Sequence, residues 1–358
     1  MKIRKTLEHI LKGMKIKKTD RFIPFIGLML MGMIKSYAQD IHFSQFFEAP
    51  LLRNPSLAGI FTGDIRVQGV YRDQWNSFTN AYRSGSFNVE YKMPIGKSND
   101  FVTAGLQILY DKAGTAGLTA THVLPAINYH KSLSNEKVMY LSVGFMGGIV
   151  QKRIDRSKIT TNSQFDGSAY NPSLADGESF INPGYTAADG SFGASFNTTF
   201  GTDQKHSMFL GGAYHHVNRP RNSFYLSAES ALHPKYVFSG GVKFAIDEYT
   251  SFTLQSDYSQ QGNFNEIIGG ALYSFKVGDP ELSLYTLHAG AFLRWKDALI
   301  PVLKIDYNPL SVAISYDVNV SQLKTGSQGR GGFELSVSYI GFFNRSNSSK
   351  NKMLCPRF

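Results

Sequence analysis

The stretch Ser311-Val312-Ala313-Ile314-Ser315-Tyr316-Asp317-Val318-Asn319-Val320-Ser321 alternates without interruption. Its even positions are apolar and its odd positions are small or polar. A period of two is the signature of a β-strand, because successive side chains leave opposite faces of the pleat. Two neighbouring segments repeat it. Tyr285, Leu287, Ala289, Ala291, Leu293 and Trp295 oppose Thr286, His288, Gly290, Arg294 and Lys296; Phe333, Leu335, Val337 and Tyr339 oppose Glu334, Ser336 and Ser338. Strands of about ten residues with aromatic ends suit a tilted crossing of a bilayer, apolar face to lipid and polar face to a lumen.

Working outward, the pattern predicts fourteen antiparallel strands near 64–74, 82–92, 101–111, 118–130, 138–150, 190–200, 206–217, 235–246, 250–259, 265–276, 283–295, 300–307, 310–320 and 332–342. Connections alternate between compact turns (201–205, 247–248 and Asn308-Pro309) and long loops (151–189, 218–234 and 321–331). Short turns on one side and long loops on the other are the pattern of outer-membrane barrels, and an even strand count returns both strand ends to the periplasmic side. The expected fold is therefore all-β, a transmembrane outer-membrane barrel spanning 61–342. Pro125 lies inside one strand and predicts a bulge, since proline removes a ladder hydrogen bond.

The segment 39–60 does not alternate. His42-Phe43-Ser44-Gln45-Phe46-Phe47 and Asn54-Pro55-Ser56-Leu57-Ala58-Gly59 mix aromatics with turn residues. They are too apolar for a free tail, which predicts a plug-like segment in the lumen with Phe43, Gln45, Asn54 and Pro55 as its marked residues. Residues 1–38 read as a secretory signal: a basic start, an apolar stretch too short to span a membrane, and Ser36-Tyr37-Ala38 before Gln39 as the cleavage site. Export to the outer membrane of a Gram-negative cell follows.

The formal charge of +10 is concentrated in that leader. Nine of the 37 Lys and Arg and two of the 27 Asp and Glu lie in residues 1–38, leaving 28 against 25, a net of +3. That balance is not a nucleic-acid footprint. The tail 343–358 is basic and carries Cys355, the one cysteine, so no intramolecular disulfide exists. No HExxH, GxSxG, P-loop or paired CxxC is present, so no cofactor, metal or enzymatic role is implied. A hydrolase assembled from scattered Asp, His and Ser would show an Asp-His or Ser-His pair near the outer rim. His215-His216 cannot share one direction within a strand, which argues against a shared metal site.

Several separated motifs resemble the PorP/SprF family of the Bacteroidetes type IX secretion and gliding machinery. They are Phe43-Ser44-Gln45 with Asn54-Pro55 and Ala58-Gly59; Asn218-Arg219-Pro220 with Ser223-Phe224; Arg294 with Asp297-Ala298; Ser315-Tyr316-Asp317-Val318-Asn319-Val320-Ser321; Gly329-Arg330-Gly331-Gly332-Phe333-Glu334-Leu335-Ser336; and the end Cys355-Pro356-Arg357-Phe358. The resemblance implies a barrel without known catalytic activity that serves export or surface attachment of a large adhesin-like protein. One branch of the family works with periplasmic peptidoglycan-associated parts and another with individual secreted cargo.

The candidate partner-binding residues are Arg294, Asp297, Tyr316, Asp317, Asn319 and Arg330, near the outer ends of the last strands, with Asn218, Arg219 and Pro220 from the loop 218–234. Charges there either pair laterally to fix the loops or order the outer mouth into a docking surface, to which the loop 151–189 with Phe165, Tyr170, Phe180 and Tyr185 contributes contact area. The alternative function is a channel for small solutes or hydrophobic molecules.

Overall fold

The computed structural model describes residues 40–74, 82–96, 99–178, 182–225, 230–279, 285–321 and 330–344. The leader with Ala38 and Gln39, Phe180 and the tail beyond 344 lie outside the described residues. Alternation becomes fourteen strands: β1 (Ile65–Gln74), β2 (Tyr82–Pro94), β3 (Phe101–Ala113), β4 (Leu118–Ser132), β5 (Met139–Arg153), β6 (Gly184–Phe200), β7 (His206–His215), β8 (Lys235–Ala245), β9 (Thr250–Gln261), β10 (Phe264–Val277), β11 (Tyr285–Arg294), β12 (Ala298–Tyr307), β13 (Leu310–Asn319) and β14 (Arg330–Gly341). Each pairs antiparallel with its sequence neighbours, and β1 closes on β14 through pairs from Ile65↔Gly341 to Gln74↔Gly332. Closure leaves no strand edge unpaired, which a hydrocarbon environment requires.

The faces sort as the period demands. Outward Ile127, Phe145, Leu210, Phe238 and Leu303 are each more than half exposed, a belt that only lipid can cover. Tyr71, Tyr110, Tyr236, Trp295 and Tyr316 ring one end of this belt. Tyr129, Tyr285, Tyr307 and Tyr339 ring the other, where Tyr285 and Tyr307 stack at 4.8 Å. Aromatic rings at two levels are the girdles of a membrane barrel. One end carries the connections 154–183 and 216–234, whereas no connection at the opposite end exceeds seven residues.

Three expectations need correction. Pro125 causes no bulge: β3–β4 pairs continuously through Leu106↔Pro125, and β4–β5 keeps one register on either side of it. Its ring faces outward, where the missing N–H costs one bond without displacing the strand. The register shift falls instead between Tyr316 and Val318, in the β13–β14 pairing. β6 begins at Gly184 rather than near residue 190, because Tyr185 and Asp189 turn inward in step with the rest of the strand. His215 and His216 do both enter the lumen, at 6% and 5% exposure, since His216 lies beyond β7 with φ 58° and leaves the alternation.

The lumen is filled by residues 40–63. A 3-10 turn (Phe46–Glu48), one helical turn α1 (Pro50–Arg53) and a second 3-10 turn (Pro55–Leu57) fold inside the barrel. Phe46 and Phe47 pack on Ile268, Leu272, Phe292, Ile300 and Val302; Leu51 and Ala58 pack on Leu124, Ala126 and Met146; Phe43 and Ala49 pack on Val70 and Leu109. The plug thus touches opposite walls, and its apolar side chains fill a lumen that would otherwise hold water.

Candidate functional site

Two sets of residues converge here: the tethers of the plug, and the loops above it. The plug begins at the loop-bearing end. The Asp40 carboxylate accepts a hydrogen bond from His216 Nε2 at 2.6 Å, and the other ring nitrogen meets Asp189 at 2.9 Å. Burial opposes charge on His216, but Asp40 and Asp189 on its two sides outweigh it and push its pKa up to about 9. Burial also acts against the Asp40 charge, yet His216 and Lys235 hold that carboxyl well below the usual carboxylate range. Next in the chain, burial and then the Arg294 and Arg72 guanidinium groups push the His42 pKa down.

Below this latch lies a buried charge cluster. Arg72 of β1 reaches Asp317 at 3.0 Å and Glu334 at 3.4 Å, and Arg294 of β11 reaches Asp317 at 3.3 Å and Asp297 at 2.9 Å. The plug completes it. Glu334 accepts the backbone N–H groups of Ser44 at 2.6 Å and Gln45 at 2.8 Å, Arg294 donates to the Ser44 hydroxyl, and Gln45 Nε2 donates to the Ser315 hydroxyl at 3.0 Å. A carboxylate gripping two backbone donors fixes a chain irrespective of its side chains. Glu48 then takes Gln68 Nε2 and Lys304 Nζ, each at 2.6 Å.

Arg53 anchors the crossing to the far wall, with its guanidinium bidentate on Asp257 at 2.7 and 2.5 Å and both groups over nine-tenths buried. From there the plug is held by shape. Asn54 donates to the carbonyls of Ala194 and Gly212 at 3.2 and 3.1 Å. Gly193 makes room for it: a Cβ there would sit 2.0 Å from Asn54 Oδ1, and one at Gly144 would sit 2.5 Å from the Pro55 carbonyl carbon. Asn128 Nδ2 donates to the carbonyls of Ser56 and Ala58 at 2.6 and 2.8 Å. Gly59, at φ +83°, presses on Thr103 while its N–H meets Glu90 at 2.7 Å.

The candidate residues divide accordingly. Arg294 and Asp317 are brought together inside the lumen, with Asp297 half-exposed at its rim. Asn319 is buried and accepts from the Ser321 N–H at 2.9 Å. Tyr316 is 42% exposed on the outward face, at the lipid boundary, away from the others. Arg330 opens β14, paired with Val318. Asn218 donates to the Ala188 carbonyl at 2.7 Å, Arg219 is left-handed at φ 45°, and the Pro220 carbonyl accepts from Leu232 N–H at 2.8 Å. These three lie in the β7–β8 loop, apart from the Arg294 cluster. The sequence reading missed Arg53, Arg72, Asp257, Asp40 and Asp189; for Arg72, Asp257 and Asp189 the signal open to it was a charged side chain at a lumen-facing strand position, whereas Arg53 and Asp40 lie in the plug, outside any strand.

The long loops fold onto each other. Asn222 Oδ1 accepts from Tyr185 OH at 2.6 Å and Lys152 Nζ at 2.8 Å, Tyr185 meets Phe224 edge-on at 5.2 Å, and Tyr225 donates to Glu178. Arg156 pairs with Asp176 at 2.8 Å, and Phe165 and Tyr170 form a bridge that leaves both rings at least half exposed. Together they make a tied platform with an aromatic tip.

Two Ser/Asp–His pairs do lie near this rim. His215 sits 3.0 Å from Ser191 Oγ and 3.2 Å from the Arg53 carbonyl, beside a cavity of about 30 Å³. That space suits a water rather than a substrate. Among the described residues no group of three or more His, Cys, Asp or Glu is arranged to hold a metal. At the short-turn end a cavity of about 640 Å³ opens under the plug, lined by Gln68, Thr253, Ser274, His288 and Lys304.

Among solved structures, the barrel is similar to the TodX monoaromatic hydrocarbon channel (deltaS2 mutant) at 11% identity and TM-score 0.42, over 82% of this chain and 93% of that one. It is similar to the KdgM porin in complex with disordered oligogalacturonate at 6% identity and TM-score 0.35, over 76% and 98%. It is also similar to CdiB from Acinetobacter baumannii at 10% identity and TM-score 0.39, over 77% and 60%. No curated protein sequence matches it. Residues 35–339 match the family described as type IX secretion system membrane protein PorP/SprF. The chain, a closed fourteen-stranded outer-membrane barrel with its lumen filled by its own N-terminal segment, belongs to the PorP/SprF family of type IX secretion membrane proteins.

Proposed function

We propose that the protein docks, exports or anchors a secreted, adhesin-like surface protein, using the tied loop platform as the contact and the plugged barrel as its support in the membrane. The observation that carries this reading is the plug, which is tethered by ion pairs and backbone hydrogen bonds from Asp40 to Gly59 and packed against opposite walls. A solute channel requires a continuous path, and this lumen is filled with apolar side chains at mid-height. The platform supplies what protein recognition uses: exposed Phe165, Tyr170 and Tyr225 for contact area, among small polar residues for hydrogen bonding. The short-turn end, with its polar cavity, faces the periplasm and is available to secretion components such as a peptidoglycan-associated protein. The Arg294, Asp297 and Asp317 group acts through the plug and the loop bases it positions.

The test is affinity capture of the tagged chain from native outer membranes in mild detergent, read by mass spectrometry. Recovery of a large secreted protein in near-equal amount is the expected result. Recovery of the barrel alone, under conditions that preserve other outer-membrane complexes, overturns the docking reading in favour of a channel.

A further inference from the structure

The plug runs in an unexpected direction. β1 leaves the short-turn rim, so a plug feeding it need only enter from that side. Asp40 instead sits at the opposite end. Its N–H donates to Oε1 of Gln261, the last residue of β9, at 3.1 Å; its carboxylate meets His216, the first residue after β7, and lies 3.9 Å from Lys235, the first residue of β8. All three border the loop-bearing mouth. Depth then increases along the chain. The His42 carbonyl accepts from Arg72, near the loop end of β1; Glu48 meets Gln68, lower on the same strand; Lys92 Nζ reaches the Phe61 carbonyl at 2.6 Å; and Asp64 N–H joins Gly341, the last residue of β14, at 2.8 Å.

We infer that the plug is threaded from the outside inward, so that its N-terminal end is displayed at the outer face, tied to the β7–β8 loop, and belongs to the surface that an extracellular polypeptide meets. The inference rests on the reading that the loop-bearing end faces outward. This threading brings the start of the plug to that face and makes the Asp40–His216 contact a bond between docking loop and plug. An even strand number brings both strand ends to the periplasm, yet it does not constrain the twenty-five residues from Asp40 to Asp64 that precede β1.

The experiment places one epitope in each of three full-length chains: between Gln39 and Asp40, at Gly167 in the β5–β6 loop, and at Asp203 in the β6–β7 turn. Antibody binding is compared between intact cells and cells with opened outer membranes. The expected result is full binding on intact cells for the first two and loss of binding for the third. If the Gly167 epitope is reached on intact cells and the one before Asp40 only after opening, the threading is overturned while the docking reading stands. If Asp203 is reached and Gly167 is not, the orientation fails and both readings fall. Should the first insertion prevent folding, Asp40→Cys with Gln261→Cys, in a Cys355→Ser background, tests the same placement. A mobility-shifting cross-link by a short bis-maleimide is expected, and its absence in folded barrel overturns the inference.

Discussion

The two halves of the plug are held by different physics. From Asp40 to Glu48 the tethers are charges: His216 on Asp40, Glu334 on two backbone N–H groups, Lys304 on Glu48. From Asn54 to Gly59 they are mainly cut-outs in the wall, where Gly144 and Gly193 let the chain lie against the strands and Asn128 collects two carbonyls. A charged tether can be released by changing a proton. A steric fit can be released only by moving backbone. The first half is thus built to be adjustable and the second to be permanent, with the Arg53–Asp257 pair as the joint between them.

Breaking the joint should have the largest effect. Arg53→Ala leaves Asp257 buried and unpaired, which costs about 3–5 kcal/mol. The thermal midpoint for loss of the compact electrophoretic form should fall accordingly, and Arg53→Ala with Asp257→Ala together should recover part of it. In the charged half, Glu334→Gln keeps the shape but weakens its hold on Ser44, Gln45 and Arg72, at about 1.5–3 kcal/mol by the same assay. In the fitted half, Gly144→Ala puts a methyl where the Pro55 carbonyl lies, for about 1–3 kcal/mol of overpacking. The comparison predicts that the loss in Gly144→Ala does not vary with pH across the range in which the Asp40 latch titrates.

The latch gives the sharper contrast. His216 has a raised pKa, so its contribution is complete below the ordinary histidine value of 6.5 and is lost as pH rises through about 9. Asp40 has a lowered one, so its contribution is complete above the ordinary 3.8 and is lost only as pH falls toward its depressed value. Proteolysis near residue 40 should therefore increase above pH 9. His216→Gln should abolish that pH step, and cleavage near residue 57 should show none in either chain. The smallest expected change in stability is that of Phe165→Ala, within about 0.5 kcal/mol, because its ring is 57% exposed. The same variant should reduce capture of a docked protein.

The strands were readable because lipid imposes one rule on every outward position. Leu310–Asn319 obeys it throughout, and its boundary was anticipated within a residue. The start of β6 was not, because Ala187, Ala188 and Gly190 are too small to mark a face. The rule also misled where the chain steps out of the strand, as it does at His216. The plug was recognisable as apolar sequence without a period, but nothing local encodes its direction. Arg294 and Asp317 were legible as charges at the loop-side ends of β11 and β13, with β12 between them. Arg72, which pairs with both Asp317 and Glu334, comes from the first strand, which meets the last only through barrel closure, and pairing over that distance leaves no local pattern.

That the protein's own N-terminal segment closes the lumen is open to a single measurement. Conductance in planar bilayers tests it most directly, comparing the intact chain with one lacking residues 40–60, both verified as folded by heat-modifiable mobility. A plugged lumen gives a silent intact protein and stable open channels after the deletion. Porin-like conductance from the intact chain, or a folded deletion variant that remains silent, would contradict it.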